Sequence, residues 1–376
     1  MKFRVSTALL AATLLAALAG TSVRLLAHHE PLAKFDDGKT QTISGVISDV
    51  DWKNPHVHVF VNVKKGNDAE NWAIELEDIL SLTRSGWNED TVHPGDHVTV
   101  TGWAARNGSR QIWSRSFKLT KTGKEVFAVT EAKPPAILTK RPTPRWPDNT
   151  PKLGAPSAAA QGYWAYPSKT VLMEDGQNIE ASKWGLLKNI NDAPKMAPMQ
   201  NWALALYKER QKRFLADDPM YLNCKPPGGP RQFQLSEGVQ FVEDRERQRI
   251  FVLFGGGNTN YRIIYLDGRK PNTGQVGGDD DNPLYYGRAV AKWQGDTLVS
   301  DTEGFNEDFW FTNGGLPHTE QLKLTERFTR PDLDTLNYDV TIDDPGAYTR
   351  TWKASWTLRW VADQELPRQL CQDNRP

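Results

Sequence analysis

The chain has 376 residues, and its 46 Lys and Arg are matched by 46 Asp and Glu, so the formal net charge is zero. That balance excludes bulk electrostatic capture of nucleic acid, which needs a basic face. The length allows two or three domains, and 14 Trp supply large flat side chains for cores or for pockets that take apolar ligands.

Residues 1–27 carry the pattern of a secretory signal. Lys2 and Arg4 form a positive start, Ala8 to Ala19 is a short apolar run, and small residues follow, with cleavage expected after Ala19 or Ala27. The run is short for a membrane span, and no second run of spanning length follows. The expected location is periplasmic or secreted, with no stable membrane span after cleavage. In an oxidising compartment the two cysteines, Cys224 and Cys371, read as one disulfide; the alternative is two buried thiols.

Residues 28–125 have a strand rhythm. Val57, Val59, Val61 and Val63 alternate with His56, His58, Phe60 and Asn62, the period of a half-buried strand. Five strands are expected, with a short helix over 78–85 between the third and fourth. That is the order of an OB-like barrel. Residues 126–199 change character: Pro134, Pro135, Pro142, Pro144, Pro147, Pro151 and Pro156 predict an extended linker. Residues 200–376 open with a helix over 200–215, whose apolar spacing runs through Trp202, Leu206 and Leu215. They continue as successive strands with Gly, Asp and Pro turns, which predicts an antiparallel, lipocalin-like barrel or sandwich. The fold class is therefore all-β, with few helices. In the last strand Arg350 falls on the face of Trp352, Trp356 and Trp360, and Glu326 shares a face with Leu324 and Phe328. Buried charges require partners, so Glu326 and Arg350 are expected to pair inside the barrel or to line a wet cavity there.

Six of the seven histidines lie in the first hundred residues. Cleavage after Ala27 would expose His28 as a new N-terminus, and its amine and imidazole, with His29 or His56, would suit copper or zinc. The competing reading is polar strand residues with no metal. The seventh, His318, follows Gly314-Gly315-Leu316-Pro317 in a loop, where functional side chains concentrate. Asp301 would orient His318, Glu326 would act as its acid partner, and Arg262, Tyr265, Asn306 and Arg350 would bind the substrate. The competing reading is rim hydrogen bonds and a structural ion pair. No Gly-x-Ser-x-Gly, catalytic-cysteine or phosphate-loop pattern is present in the chain.

Two sets of motifs add a resemblance. His28-His29-Glu30, Asp51-Trp52-Lys53-Asn54-Pro55-His56, Gly86-Trp87 and Pro94-Gly95-Asp96 through Gly102 resemble a small exported domain of unknown function found in proteobacterial and acidobacterial proteins. Tyr265-Leu266-Asp267-Gly268-Arg269, Gly295-Asp296-Thr297-Leu298-Val299, Gly304-Phe305-Asn306, Pro317-His318, Glu326-Arg327-Phe328 and Thr341-Ile342-Asp343-Asp344-Pro345 resemble a second group of exported, uncharacterised proteins. The resemblance implies exported β-rich domains and brings no activity with it. The expected function is a cofactor-independent enzyme of lyase, isomerase or cyclase type, acting by proton transfer on a small, largely apolar or aromatic molecule in the C-terminal barrel. The alternatives are a periplasmic carrier of such a molecule, or a copper-binding protein.

Overall fold

Alternating β-branched residues build the N-terminal part. The computed structural model describes residues 31–53, 56–77, 79–84, 86–128, 140–182, 184–213, 217–257, 260–270 and 284–367. Strands β1 (Phe35–Asp51), β2 (His58–Lys65), β3 (Asp68–Glu75), β4 (His97–Ala105), β5 (Gln111–Leu119) and β6 (Glu125–Ala128) form one sheet in the order β3-β2-β1-β4-β5-β6. β3 also pairs in parallel with β5, Ala73 to Glu75 lying opposite Gln111 to Trp113. The first five strands thus close in the OB-like order, with the helix Ile79–Arg84 between β3 and β4. Val57, Val59 and Val61 face inward onto Ile74, Val98, Val100, Ile112 and Phe117. Burying each such side chain contributes about 1.5–3 kcal/mol. At Gly102 a Cβ would lie 2.0 Å from the Trp113 carbonyl oxygen, so β4 crosses β5 at an approach that only glycine permits.

Nine further strands close a second barrel: β7 (Gly162–Ala165), β8 (Val239–Asp244), β9 (Arg249–Phe254), β10 (Asn260–Tyr265), β11 (Arg288–Gln294), β12 (Thr297–Glu303), β13 (Lys323–Asp332), β14 (Thr335–Asp343) and β15 (Trp352–Ala362). Neighbours are antiparallel except β10 and β11, which run parallel. The expected meander is broken there because a long connection replaces a hairpin, as parallel pairing requires.

Strand register sorts part of the interior into layers. Leu298, Phe328, Tyr338 and Trp356 lie opposite one another across β12 to β15 and make an aromatic layer. One step along, Ala291, Ser300, Glu326, Val340 and Ala354 make a layer of small side chains around a single carboxylate.

The stretch expected as a linker is different where it is described. Residues 140–182 and 184–199 lie against the barrel, and β7 within them pairs with β15 and β8. Leu153, Val171, Leu172, Ile179 and Leu187 are buried in the barrel's core cluster. Proline-rich chain lacks donors and stays extended, and here that extended chain covers one end of the barrel. Arg330 holds it there. Its guanidinium lies over Trp164 and Trp360, at 4.7 and 5.1 Å from the ring centres, and these two rings meet each other edge-to-face. It donates to the carbonyls of Lys152, Gly154 and Leu333.

The helix forms as Asn201–Lys212, with a different buried face: Ala203, Tyr207 and Gln211 point inward. Trp202 and Leu206, expected to be apolar anchors, are exposed, and Leu215 lies outside the described residues. Gln211 sets the face, because it accepts from Leu187 N and donates to the Gly185 and Gly314 carbonyls.

Replacing Arg330 by Met removes the donor from one buried carbonyl, that of Gly154, and from two part-buried ones, those of Lys152 and Leu333. A buried orphaned group costs about 1–3 kcal/mol, and the packing of the guanidinium on two tryptophans is lost as well. The expected result is a loss of about 3 kcal/mol or more in urea unfolding followed by tryptophan fluorescence. A midpoint equal to that of the parent chain would show that Arg330 is not the anchor.

Candidate functional site

Parity along the strands decides which expected residues meet. On β13 Leu324, Glu326 and Phe328 point inward; on β10 Arg262 and Ile264 do so. Arg262 and Glu326 are both buried. The guanidinium donates twice to the carboxylate, Nη1 to Oε2 at 2.8 Å and Nη2 to Oε1 at 3.0 Å. The Tyr338 hydroxyl donates to Oε1 at 2.7 Å, and the Thr302 hydroxyl to Oε2 at 3.0 Å. Four donors on one carboxylate fix its position and orientation. Burial, and then the Glu326 charge, push the Tyr338 phenol well above its ordinary range.

Arg350, expected as the partner of Glu326, is elsewhere. It precedes β15, is exposed, and grips Glu174 with Nη1 and Nη2 at 2.6 and 2.9 Å. Tyr265 has the opposite parity from Arg262, and the Arg269 guanidinium stacks on it at 3.7 Å. Asn306 closes a local turn by accepting from Asp308 N.

The proposed proton-transfer pair does not assemble. Asp301 is exposed on the outer side of β12 and accepts from the Thr325 hydroxyl at 2.8 Å. His318 is buried, with its ring against Phe309 at 4.1 Å and Phe311 at 5.6 Å. Its nitrogens face the carbonyls of Phe309 (3.1 Å) and Thr319 (3.4 Å). Burial pushes its pKa down to about 4, against the opposing pull of those carbonyls. A neutral imidazole has one N–H to give and here no carboxylate to orient it. Gly314 in the same loop sits where a Cβ would meet the Gly185 carbonyl oxygen at 2.3 Å, with φ of 89°, so the loop is packed down onto the scaffold.

Around the Arg262–Glu326 pair, several buried polar atoms have no hydrogen-bond partner among the described residues: Arg262 Nε, the Tyr286 and Ser300 hydroxyls, and both amide atoms of Gln232 and Gln234. Ser300 lies directly opposite Glu326 in the register. Tyr286 packs on Phe254 at 4.8 Å and feels the Arg262 charge. Gln232 and Gln234 flank Phe233, whose ring stacks on Tyr338 at 4.6 Å and lies 5.4 Å from the Arg262 guanidinium. Reading the sequence named Arg262 but missed Tyr286, Ser300, Gln232 and Gln234. The one available signal was the hairpin register, which places Ser300 and Thr302 beside the Glu326 wall; nothing in the sequence marks Gln232 or Gln234.

A second polar cluster lies in the N-terminal part. The buried Glu75 accepts from Lys34 Nζ at 2.7 Å and meets His56 Nδ1 at 2.7 Å; His58 Nε2 approaches it at 3.5 Å. Burial pushes the Glu75 carboxyl up, but His56, His58 and Lys34 outweigh that and hold it well below the usual range. A carboxylate behind an imidazole is a common support for a metal ligand. Among the described residues, however, no group of three or more His, Cys, Asp or Glu could hold a metal. His28 and His29 lie outside the described residues, and so does Cys371 with its expected link to Cys224.

Residues 15–113 match a family of unknown function, DUF6152. That match spans the N-terminal strands as far as Trp113 in β5 and ends before the nine-stranded barrel. No curated protein matches the chain.

His318 carries a pH signature. In the unfolded chain it takes a proton near 6.5, and in the folded chain only near 4. Between those values the unfolded state binds more protons, so stability falls as pH drops through the window, by about 3 kcal/mol in all. His318→Phe keeps the aromatic stack and should flatten that part of the pH–stability curve, measured by urea titration on both sides of the window. An unchanged slope would assign the proton to another group.

Proposed function

We propose that the nine-stranded barrel binds a small organic molecule beside the Arg262–Glu326 pair, and that the chain works as an exported carrier or sensor of that molecule. The observation that carries this reading is the set of unpartnered buried polar atoms next to a layer of small side chains. A buried polar group without a partner costs about 1–3 kcal/mol, so such a cluster is retained where a ligand or ordered water completes it. Ala291, Ser300 and Ala354 keep the wall short at that level, and Phe254, Phe328, Tyr338 and Tyr286 supply the apolar remainder. A pocket lined mostly by apolar groups with a few convergent polar ones fits small-molecule binding.

Carriage fits better than catalysis. The expected base, His318, is neutral and pinned, Asp301 faces away, and Glu326 is saturated with donors. Export and a Cys224–Cys371 bridge belong to the same reading, since both follow from the apolar N-terminal run and the paired cysteines.

Native mass spectrometry on the full chain, exported and purified from its own compartment, tests the reading. The expected spectrum shows the mature chain with a retained organic molecule, which is lost on denaturation. Ala291→Leu fills the short layer and should lower the occupancy about tenfold with the unfolding midpoint kept. Equal masses under native and denaturing conditions would overturn the proposal.

A further inference from the structure

We infer that the molecule taken by the barrel is uncharged and flat, and that it carries at least one hydroxyl or amide group able both to donate and to accept a hydrogen bond. This inference rests on the binding reading above and narrows its ligand class. The argument is one of charge and valence at the small-residue layer. The single cation reaching that layer, Arg262, is answered in full by Glu326 through two hydrogen bonds. A buried bidentate pair is neutral as a unit. Among the described strands no inward charge is left over at that layer for a carboxylate, a phosphate or an ammonium group. The remaining inward charges belong to the covered end of the barrel. There Arg330 serves the backbone of residues 152–154, and Glu243 accepts from Trp146 Nε1, Leu153 N and Gly154 N. A charged ligand beside Glu326 would be buried without compensation, which is the costliest arrangement available.

The unpartnered atoms give the complementary half of the specification. Arg262 Nε–H is a pure donor, whereas the Ser300 and Tyr286 hydroxyls donate or accept. An alkane satisfies none of them; a hydroxyl or an amide satisfies two or three at once. Shape follows from the aromatic layer. Phe233 already stacks on Tyr338 and lies tilted against Phe328 at 5.4 Å, so a ligand beside Glu326 would have aromatic rings as its neighbours, which suit a planar group.

Titration calorimetry on the full chain with three naphthalene probes separates this inference from the reading beneath it. The probes share one ring system: 2-naphthol is neutral with a hydroxyl, 2-naphthoate is an anion, and naphthalene has no polar group. The expected order is 2-naphthol tightest, naphthalene about tenfold weaker and 2-naphthoate about 100-fold weaker. Ser300→Ala should weaken 2-naphthol and leave naphthalene unchanged. Glu326→Gln frees the Arg262 charge and should reverse the preference toward 2-naphthoate; thermal melting checks that this variant folds, and Ser300→Ala stands alone if it does not. Tighter binding of 2-naphthoate by the parent chain overturns the neutral-ligand inference but keeps the binding reading. Equal binding of 2-naphthol and naphthalene removes the polar requirement. Absence of binding by all three removes the binding reading itself.

Discussion

Two charges at the centre of the barrel organise the rest. Arg262 stands on β10 and Glu326 on β13, and β11 and β12 lie between them in the barrel. Their contact spans the interior instead of following the sheet. Taking two ions out of water costs several kcal/mol each, and attraction between them offsets this only with good geometry and every lone pair occupied. The surroundings meet those terms. Tyr338 and Thr302 take the remaining carboxylate positions, and Phe233 and Phe328 cover the guanidinium at 5.4 and 5.9 Å. A carboxylate so fully bonded can define register and side-chain direction around it. The same bonding leaves the carboxylate no free oxygen to present to a substrate, which is why a binding role accords with the geometry better than acid–base chemistry.

Much of the architecture could be read from alternation alone. The valine rhythm at 57–63 and the alternating tryptophans of β15 report their inward faces directly, because side chains on a strand reverse at each residue. The same rule predicted that Glu326 points inward. It failed for Arg350, since parity holds only inside the strand, and β15 begins at Trp352. It therefore gave Glu326 the wrong partner. Arg262 lies 64 residues away, and only the closure of the barrel brings the two together. The helix Asn201–Lys212 misled for a related reason: its buried face is chosen by the amide of Gln211 and the backbone groups it serves, which outweigh two exposed apolar side chains.

Residues 140–199 show how composition can mislead. Seven prolines between 134 and 156 suggested a spacer, but proline sets backbone shape and not burial. Extended chain without donors is suited to lying across the open end of a barrel, where a regular strand would leave its own groups unpaired. His318 was misread by similar logic. A lone histidine after two glycines looked like a catalytic loop residue, while the glycines in fact allow close packing against Gly185. The burial that follows removes the charge that made histidine attractive there.

The pairing of β7 with β15 has a consequence for how the chain reaches this state. Trp164 lies opposite Trp360, and Gly162 opposite Ala362, so the first and last staves of the barrel are neighbours. No ring can form on a growing polypeptide until β15 has been synthesised. Until then β7 and β14 each present an open edge, the kind of surface that invites pairing with other chains. Contacts of such long sequence separation form slowly. The barrel therefore closes last and all at once, and whatever holds the nascent chain must protect two edges until its final strand arrives.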